Sequence, residues 1–444
     1  MASATLSQAF TPEACENWLA HTGEPVWLAE LRREAWRNYL AMKWPERSQE
    51  EWMRSDLRGF KLERYSLPAV PGQVCQQAAA GTVDQVPQWL SAGVDLAGQL
   101  VTQDSAVQRA HLNAAWQAKG VLFGDLSLLA AQHESVVRPA LLSVVDGKSD
   151  RFAALHAAMW SGGQLLYVPR GVCVSEPLHV VNGMSEGGVD FGHTLIILDE
   201  GAEATFLHEA GSLPGAHTGL HCGSVEIVLR PNAHLRYVNL QDWGRGAWHF
   251  AHQRAILERN ASIQWTIAAM GSRFAQVSQQ VKLAGKGANS QVNGVLFTQD
   301  SQQMTYNTLQ HHAAPACRSD FLYKAALQDQ SRTVWRGMIQ VDPIAQKTDG
   351  YQRNDNLLLS EQARADSIPG LEIEADDVRC THGSTSGRVD EELIFYARSR
   401  GFTRKEAVRM IVTGFFQQIF DRISIESVRE ALGQAIARQV REYH

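Results

Sequence analysis

One short unit recurs through the middle of this chain and limits what the chain can become. An apolar run ends in leucine, three turn-forming residues and a small residue follow, and another apolar run begins. The unit reads LDEGA at Leu198–Ala202, LRPNA at Leu229–Ala233, LERNA at Leu257–Ala261, LQDQS at Leu327–Ser331 and LSEQA at Leu359–Ala363. LAGKGA at Leu283–Ala288 is the same unit with one extra residue. Intervals between the small residues are 31, 28, 27, 43 and 32, most of them near thirty. A period of that size marks a solenoid, in which each repeat covers the apolar face of its neighbour. The runs between the turns are strand-like, broken by Gly, Asn and Asp, with no helical pattern between them. A β-sandwich would also give short strands and frequent turns. A β-helix fits better, because a small residue at one recurrent corner is what closely stacked coils require.

The strand-rich region, residues 151–388, separates two helical ones. In the first, residues 1–150, Leu28, Leu31, Ala35 and Tyr39 follow helical spacing within EPVWLAELRREAWRNYLAMKW. A second helical stretch, DLSLLAAQHESVVRPALL, follows a turn at Gly124. Five of the twelve tryptophans lie between Trp18 and Trp52, eight or nine residues apart, a spacing that suits packing rather than a ligand cage.

The last region, residues 389–444, carries clear helix punctuation. Asp390 is placed to cap EELIFYARSR and Gly401 to close it. Thr403 and Glu406 form a T-x-x-E capping box ahead of RKEAVRMIVTGFFQQIF. Val428, Leu432, Ile436 and Val440, four apart, make one apolar face. Phe395, Tyr396, Phe402, Phe415, Phe416 and Phe420 add more aromatic surface than so short a tail can bury alone. It must dock, either as a cap on the solenoid's open end or on a partner.

Composition excludes several functions. A formal net charge of −6 and the absence of a Lys/Arg run leave no footprint for nucleic acid or a membrane surface. No apolar stretch approaches the ~20 residues needed to span a bilayer. The N-terminus lacks a signal pattern, so cytoplasmic residence is expected. Cys15, Cys75, Cys173, Cys222, Cys317 and Cys380 are scattered without a C-x-x-C pair, as expected of reduced thiols. A self-contained zinc or iron–sulfur site needs clustered ligands, so cluster chemistry here would borrow some from elsewhere. GKS at Gly147–Ser149 has Leu142 where a phosphate loop needs glycine. H-E-x-x-H, G-x-S-x-G and a helix-opening G-x-G-x-x-G are all missing, which argues against a self-sufficient enzyme.

One pair remains to be placed. In ADDVRCTHGSTSGRVDEELIFYARSRG, from Ala375 to Gly401, Cys380 and His382 lie two apart and share one face of a strand. Leu371, Ile373 and Ala375 have the opposite parity, so the phase changes across Asp376 and Asp377, as at a bend or bulge. Thiolate and imidazole are good ligands for iron and other borderline-to-soft metals. Taken alone, the spacing favours a packed cysteine and a hydrogen-bonded loop histidine. Asp376 and Asp377 point opposite ways on a strand and make a poor acid/base pair for saccharide chemistry. His311 and His312, near Cys317, diverge in the same way and are expected to pack.

The block LEIEADDVRCTHGSTSGRVDEELIFYARSRGF, Leu371–Phe402, resembles the signature of the SufB/SufD family of iron–sulfur cluster assembly proteins. The likeness runs back through Tyr306–Ser360 to GQLLYVPRGVCVSEPLHV, GVLFGDL and EEWMRSDL, covering nearly the whole chain. Within that family the chain is similar to the SufD branch. SufB proteins carry Cys-Asp-Ser where Asn354, Asp355 and Asn356 stand, and Glu-His-Glu-Ala where this chain reads CTHGST. Without a thiolate at Asn354, the chain is not expected to be the main sulfur acceptor. The family's HGATVG run appears here as HGSTSG, with Ser384 and Ser386 substituted.

The resemblance implies a mainly β fold: a right-handed parallel β-helix core between N-terminal and C-terminal α-helical domains. It implies a non-catalytic scaffold that pairs through its β-helix with a SufB-like subunit. Each of these two subunits would hold a SufC-like ATPase through its C-terminal helices. Here that docking surface is expected to include Phe395, Tyr396, Arg400, Phe402, Phe415 and Phe416. For the chain in isolation the sequence leaves a homodimer open as one alternative. Iron or a transient iron–sulfur cluster would form at the interface with SufB, with nothing bound permanently by this chain alone. His382 is the ligand so implied, and Cys380 the lesser candidate. Two rivals stand beside this reading: a β-helix carbohydrate-active enzyme, and a purely structural partner subunit without ligands.

Overall fold

A computed structural model describes residues 9–71 and 88–440; the first eight residues, the stretch holding Cys75 and the last four residues lie outside it. The chain opens with helices α1 (Pro12–Ala20) and α2 (Val26–Ala41). Strands β1 (Gly98–Gln103) and β2 (Ala106–Leu112) follow, then helix α3 (Ala114–Gln117) and strand β3 (Leu122–Asp125). Helices α4 (Leu126–Gln132), α5 (Glu134–Val137) and α6 (Arg151–Met159) lead into an unbroken series of strands. These are β4 (Gly162–Val168), β5 (Leu178–Met184), β6 (Gly188–Asp190), β7 (Gly192–Leu198), β8 (Glu203–Ser212), β9 (Gly219–Leu229), β10 (His234–Asp242), β11 (Trp248–Leu257) and β12 (Ser262–Ala269). The series continues through β13 (Phe274–Leu283), β14 (Asn289–Thr298), β15 (Gln303–His312), β16 (Arg318–Leu327), β17 (Arg332–Val341), β18 (Thr348–Leu358), β19 (Arg364–Ile373) and β20 (Val378–Arg388). Helices α7 (Glu391–Ser399), α8 (Arg404–Phe420) and α9 (Glu426–Gln439) complete the described chain.

From β4 onward the strands wind into about eight coils of a parallel β-helix. Each coil gives one strand to a first sheet (β5, β8, β10, β12, β14, β16, β18, β20) and one to a second (β4, β7, β9, β11, β13, β15, β17, β19). Parallel register stacks like positions on like. Leu178, Phe206, Tyr237, Trp265, Val292 and Phe321 form one fully buried row across the first sheet, continued by Gln352 and His382. This apolar filling is the main stabilising term, at roughly 25 cal/mol per Å² of apolar surface removed from water.

The recurrent unit is explained by its corner. Ala202, Ala233, Ala261 and Ala288 are completely buried where the chain passes from the second sheet to the first. The residue before each is left-handed: Gly201 (φ 68°), Asn232 (58°), Asn260 (56°) and Gly287 (77°). Glycine and asparagine tolerate that conformation best, which is why they recur there. The side-chain amide of Asn260 donates to Asn232 Oδ1 at 3.3 Å, tying one coil to the next. The expectation of a single corner needs correcting. Ser331 and Ala363 lie at the opposite corner, where the chain returns from the first sheet to the second. The interval of 43 is therefore about one and a half coils, and buried Cys317 holds the first corner in the coil between.

Sheet structure also begins earlier than residue 150. β1 pairs parallel with β5, β2 pairs antiparallel with β1, and β3 pairs antiparallel with β4. The hairpin turns on Asp104 (φ 49°) and Ser105 (φ 69°), both positive, as a tight two-residue turn demands. This lone hairpin has no periodic copy, so the repeat pattern could not reveal it.

Part of the outer face of each sheet is covered, while the last strands, β19 and β20, keep exposed residues. Trp18, Trp36, Trp52, Phe60 and Phe152 pack on Phe191, Phe250 and Phe274 of the second sheet's side. The Phe152 and Phe250 rings stack at 3.8 Å. The C-terminal helices lie on the first sheet, with Val412, Phe416, Ile419, Leu432 and Ile436 against Leu240, Met270, Phe297 and Leu322. The tail thus covers a sheet face, and among the described residues no helix of it caps the solenoid's open end. Its punctuation is as the sequence predicts: Asp390 caps α7, Thr403 and Glu406 cap each other at the start of α8, and Gly401 is left-handed at φ 94°. Among the described residues no helix is long and apolar enough to cross a membrane.

Candidate functional site

β19 and β20 are the last strands of their sheets, and among the described residues no strand pairs with their outer edges. The change of phase at Asp376 and Asp377 is the final coil corner, carrying the chain from β19 to β20. It is pinned to the corner below: the N–H of Lys347 donates to the Asp377 carbonyl at 2.6 Å, and the N–H of Asp377 donates to Gln346 Oε1 at 2.8 Å.

Register fixes where the pair points. Cys380 lies opposite Gly350 and His382 opposite Gln352, so both occupy inward positions in a coil on which, among the described residues, no further strand stacks. Cys380 is half-buried beside Ile339, Val341, Ala345 and Ala375, and this burial pushes its thiol above the usual range. Arg379 faces away, 3.0 Å from Asp349, and does not stabilise the thiolate. His382 is exposed, and its imidazole has no hydrogen-bond partner among the described residues.

The floor beneath them is polar. Asn356 Nδ2 donates to Asn354 Oδ1 at 3.0 Å, to Ser367 Oγ at 3.0 Å and to Ser386 Oγ at 3.1 Å. The Ser367 hydroxyl donates to Asn354 Oδ1 at 2.5 Å. Gln352 Nε2 donates to the carbonyls of Gly337 and Gly370 at 3.3 and 3.0 Å, while its Oε1 is buried without a partner. The inner row thus turns from aromatic to amide one coil before it ends. Such an amide network, hydrogen-bonded except at Gln352 Oε1, suits a polar mouth better than a phenylalanine floor would. The alternation of Gln352, Asn354 and Asn356 on one strand face was the available signal for this floor. Among the described residues no group of three or more His, Cys, Asp or Glu is placed to hold a metal ion.

The other residues singled out by sequence separate cleanly. His312 is buried with Nε2 2.8 Å from Ser319 Oγ, and His311 faces outward 2.9 Å from Asp342. In the C-terminal helices Phe395 is 74% exposed, Tyr396 59% and Phe402 43%, with Leu393 and Met410 also exposed. The Arg400 guanidinium donates to the Tyr396 hydroxyl at 3.0 Å. Phe415 is half-buried and Phe416 fully buried against the first sheet, so Phe416 packs the core and does not face a partner. One aromatic group is thus two: an outward patch on α7 and its flank, and an inward set on α8.

A family model described as the SUF system FeS cluster assembly, SufBD core domain, matches residues 179–415. A second, for the SufBD protein N-terminal region, matches residues 13–180. An iron–sulfur cluster assembly SufBD family protein of Staphylococcus epidermidis is 27% identical over 418 residues, covering 91% of this chain and 87% of that protein. A family protein of the same name from Staphylococcus aureus is 26% identical with the same coverage.

Proposed function

Because this chain belongs to the SufBD family of the SUF iron–sulfur cluster assembly system, we propose that it is a SufD-type scaffold subunit that lends one imidazole, His382, to iron or a nascent cluster. The observation that carries this reading is the position of His382. On the final strand it is exposed and, among the described residues, without a hydrogen-bond partner, whereas the inward positions of its row in the coils below are buried. One imidazole and one half-buried thiol cannot complete a four-coordinate iron, so the remaining ligands come from a neighbour.

The bare edges of β19 and β20 offer unpaired backbone groups to that neighbour, a SufB-like subunit or, in isolation, a second copy. Phe395, Tyr396, Arg400 and Phe402 form the seat for a SufC-like ATPase, because a contiguous aromatic patch with an arginine is typical of interface anchors. Phe415 and Phe416 hold the helices that present this patch. ATP hydrolysis belongs to the partner, the chain itself is non-catalytic, and the complex works in the cytoplasm. Iron and sulfide are cargo here, bound transiently at the shared face.

The test is co-expression of the chain with its SufB-like and SufC-like partners, followed by anaerobic reconstitution. His382→Ala should leave the complex intact while iron and sulfide content fall sharply. Unchanged cluster content in that complex would remove His382 from the site and leave the chain a structural partner.

A further inference from the structure

The outward face of the first sheet beneath the C-terminal helices is largely apolar, with Thr266, Asn293 and Lys324 among its buried polar residues. Leu322 and Ala326 on β16 are fully buried there, yet Lys324 between them, only 7% exposed, carries an ammonium into the same interface. Burial pushes that ammonium below the usual lysine range. Burying a charge among apolar residues costs stability unless it is paired, so its pairings are informative. Lys324 Nζ donates to the carbonyl of Phe415, in the middle of α8, at 2.9 Å and lies 4.8 Å from that ring. On its other side it is 3.9 Å from Asp355 Oδ2.

Asp355 is directly opposite Lys324 on β18 and only 4% exposed. Its Oδ1 accepts from Arg353 Nε at 2.9 Å and from the Thr385 hydroxyl at 2.6 Å. Thr385 is the register partner of Asp355 on β20, three residues beyond His382. One polar line therefore crosses the sheet from α8 to the terminal strand, with each member on the next strand in register.

We propose that Lys324, Asp355 and Thr385 form a positioning relay that passes the placement of α8 to β20 and so sets where His382 sits. The relay rests on the functional reading above, in which an ATPase grips the C-terminal helices and the open end is the assembly face. Shifting α8 moves the Phe415 carbonyl away from the ammonium, which then swings towards Asp355 and competes with Thr385 for its carboxylate. Loss of the Thr385 bond frees one attachment of a strand that, among the described residues, has no other strand beyond it. None of the three touches iron or sulfide.

The test uses the full complex with both partners and reads backbone amide exchange over residues 378–388, with and without a non-hydrolysable ATP analogue. The unsubstituted complex should show a nucleotide-dependent change of about threefold or more, within the range such networks carry. Lys324→Met keeps the stem in an apolar setting, and Thr385→Val keeps the shape of the side chain. Each should abolish that change while co-purification of all subunits and ATP hydrolysis are retained. The double variant should be no weaker than either single one, since the residues act in series. A nucleotide response that persists in both single variants, or effects that add independently, would overturn the relay and leave the scaffold function standing. No response in the unsubstituted complex would overturn the relay together with the coupling it rests on.

Discussion

Cys380 and His382 are neighbours on one face of β20, yet the thiol is half-buried near Ile339 and the imidazole stands in solvent. That difference makes them chemically unequal. Cys380 should react slowly with iodoacetamide at neutral pH, because burial keeps it protonated, and its rate should keep climbing with pH above the ordinary thiol range. Cys380→Ala should cost about 1 kcal/mol of stability and leave most of the cluster yield. A loss of yield equal to that of His382→Ala would make the thiol a full ligand.

The two aromatic sets of the C-terminal helices should respond oppositely to substitution. Phe395→Ser, at an exposed position, should leave thermal unfolding unchanged and abolish co-purification of the ATPase partner. Phe416→Ala empties a fully buried site and should destabilise the chain by about 3–5 kcal/mol, seen as a lower denaturant midpoint. Retained ATPase binding in Phe395→Ser would move the docking surface elsewhere.

Buried neutral histidines should make the protein acid-sensitive. Burial lowers His312 to about 4, and lowers His208 and His221 to about 3. An unfolded histidine binds its proton near pH 6.5. Below that value the unfolded state therefore holds more protons than the folded one, and stability is lost as pH falls towards 4 and 3. For His312 alone the loss at pH 5, relative to pH 8, is about 2 kcal/mol. Urea unfolding across pH 4–8 should show this slope, and His312→Gln should flatten it. An unchanged slope in the variant would mean that His312 is not held neutral.

The solenoid was legible because its corners impose residue types. Leucine closes the strand, a left-handed glycine or asparagine turns it, and a buried alanine leaves room for the next coil. The two corners were confused because Ser331 and Ala363 satisfy the same spatial demand on the opposite side. Strand parity placed Cys380 and His382 on one face, and the register agrees. Parity carries no burial, however, so the contrast between their environments was out of reach. Likewise, aromatic density on a helix does not say which face is inward, and Phe395 and Phe416 looked alike. Lys324 was invisible for a different reason. A lone lysine in a strand reads as a solvated residue until a helix from another part of the chain is known to cover it.

The N-terminal segment has a consequence for how the protein is made. The Ser55 hydroxyl donates to Gln276 Oε1 across 221 residues of sequence, and Arg336 reaches Glu50 across 286. Trp18, Trp36 and Trp52 likewise bury against strands that leave the ribosome long after they do. During synthesis these rings wait uncovered until the middle coils have wound, so the nascent chain passes through a long interval of exposed aromatic surface. Folding is then paced by the late arrival of its own docking face, and a holdase acting early in translation would raise the yield of soluble protein more than one added after release.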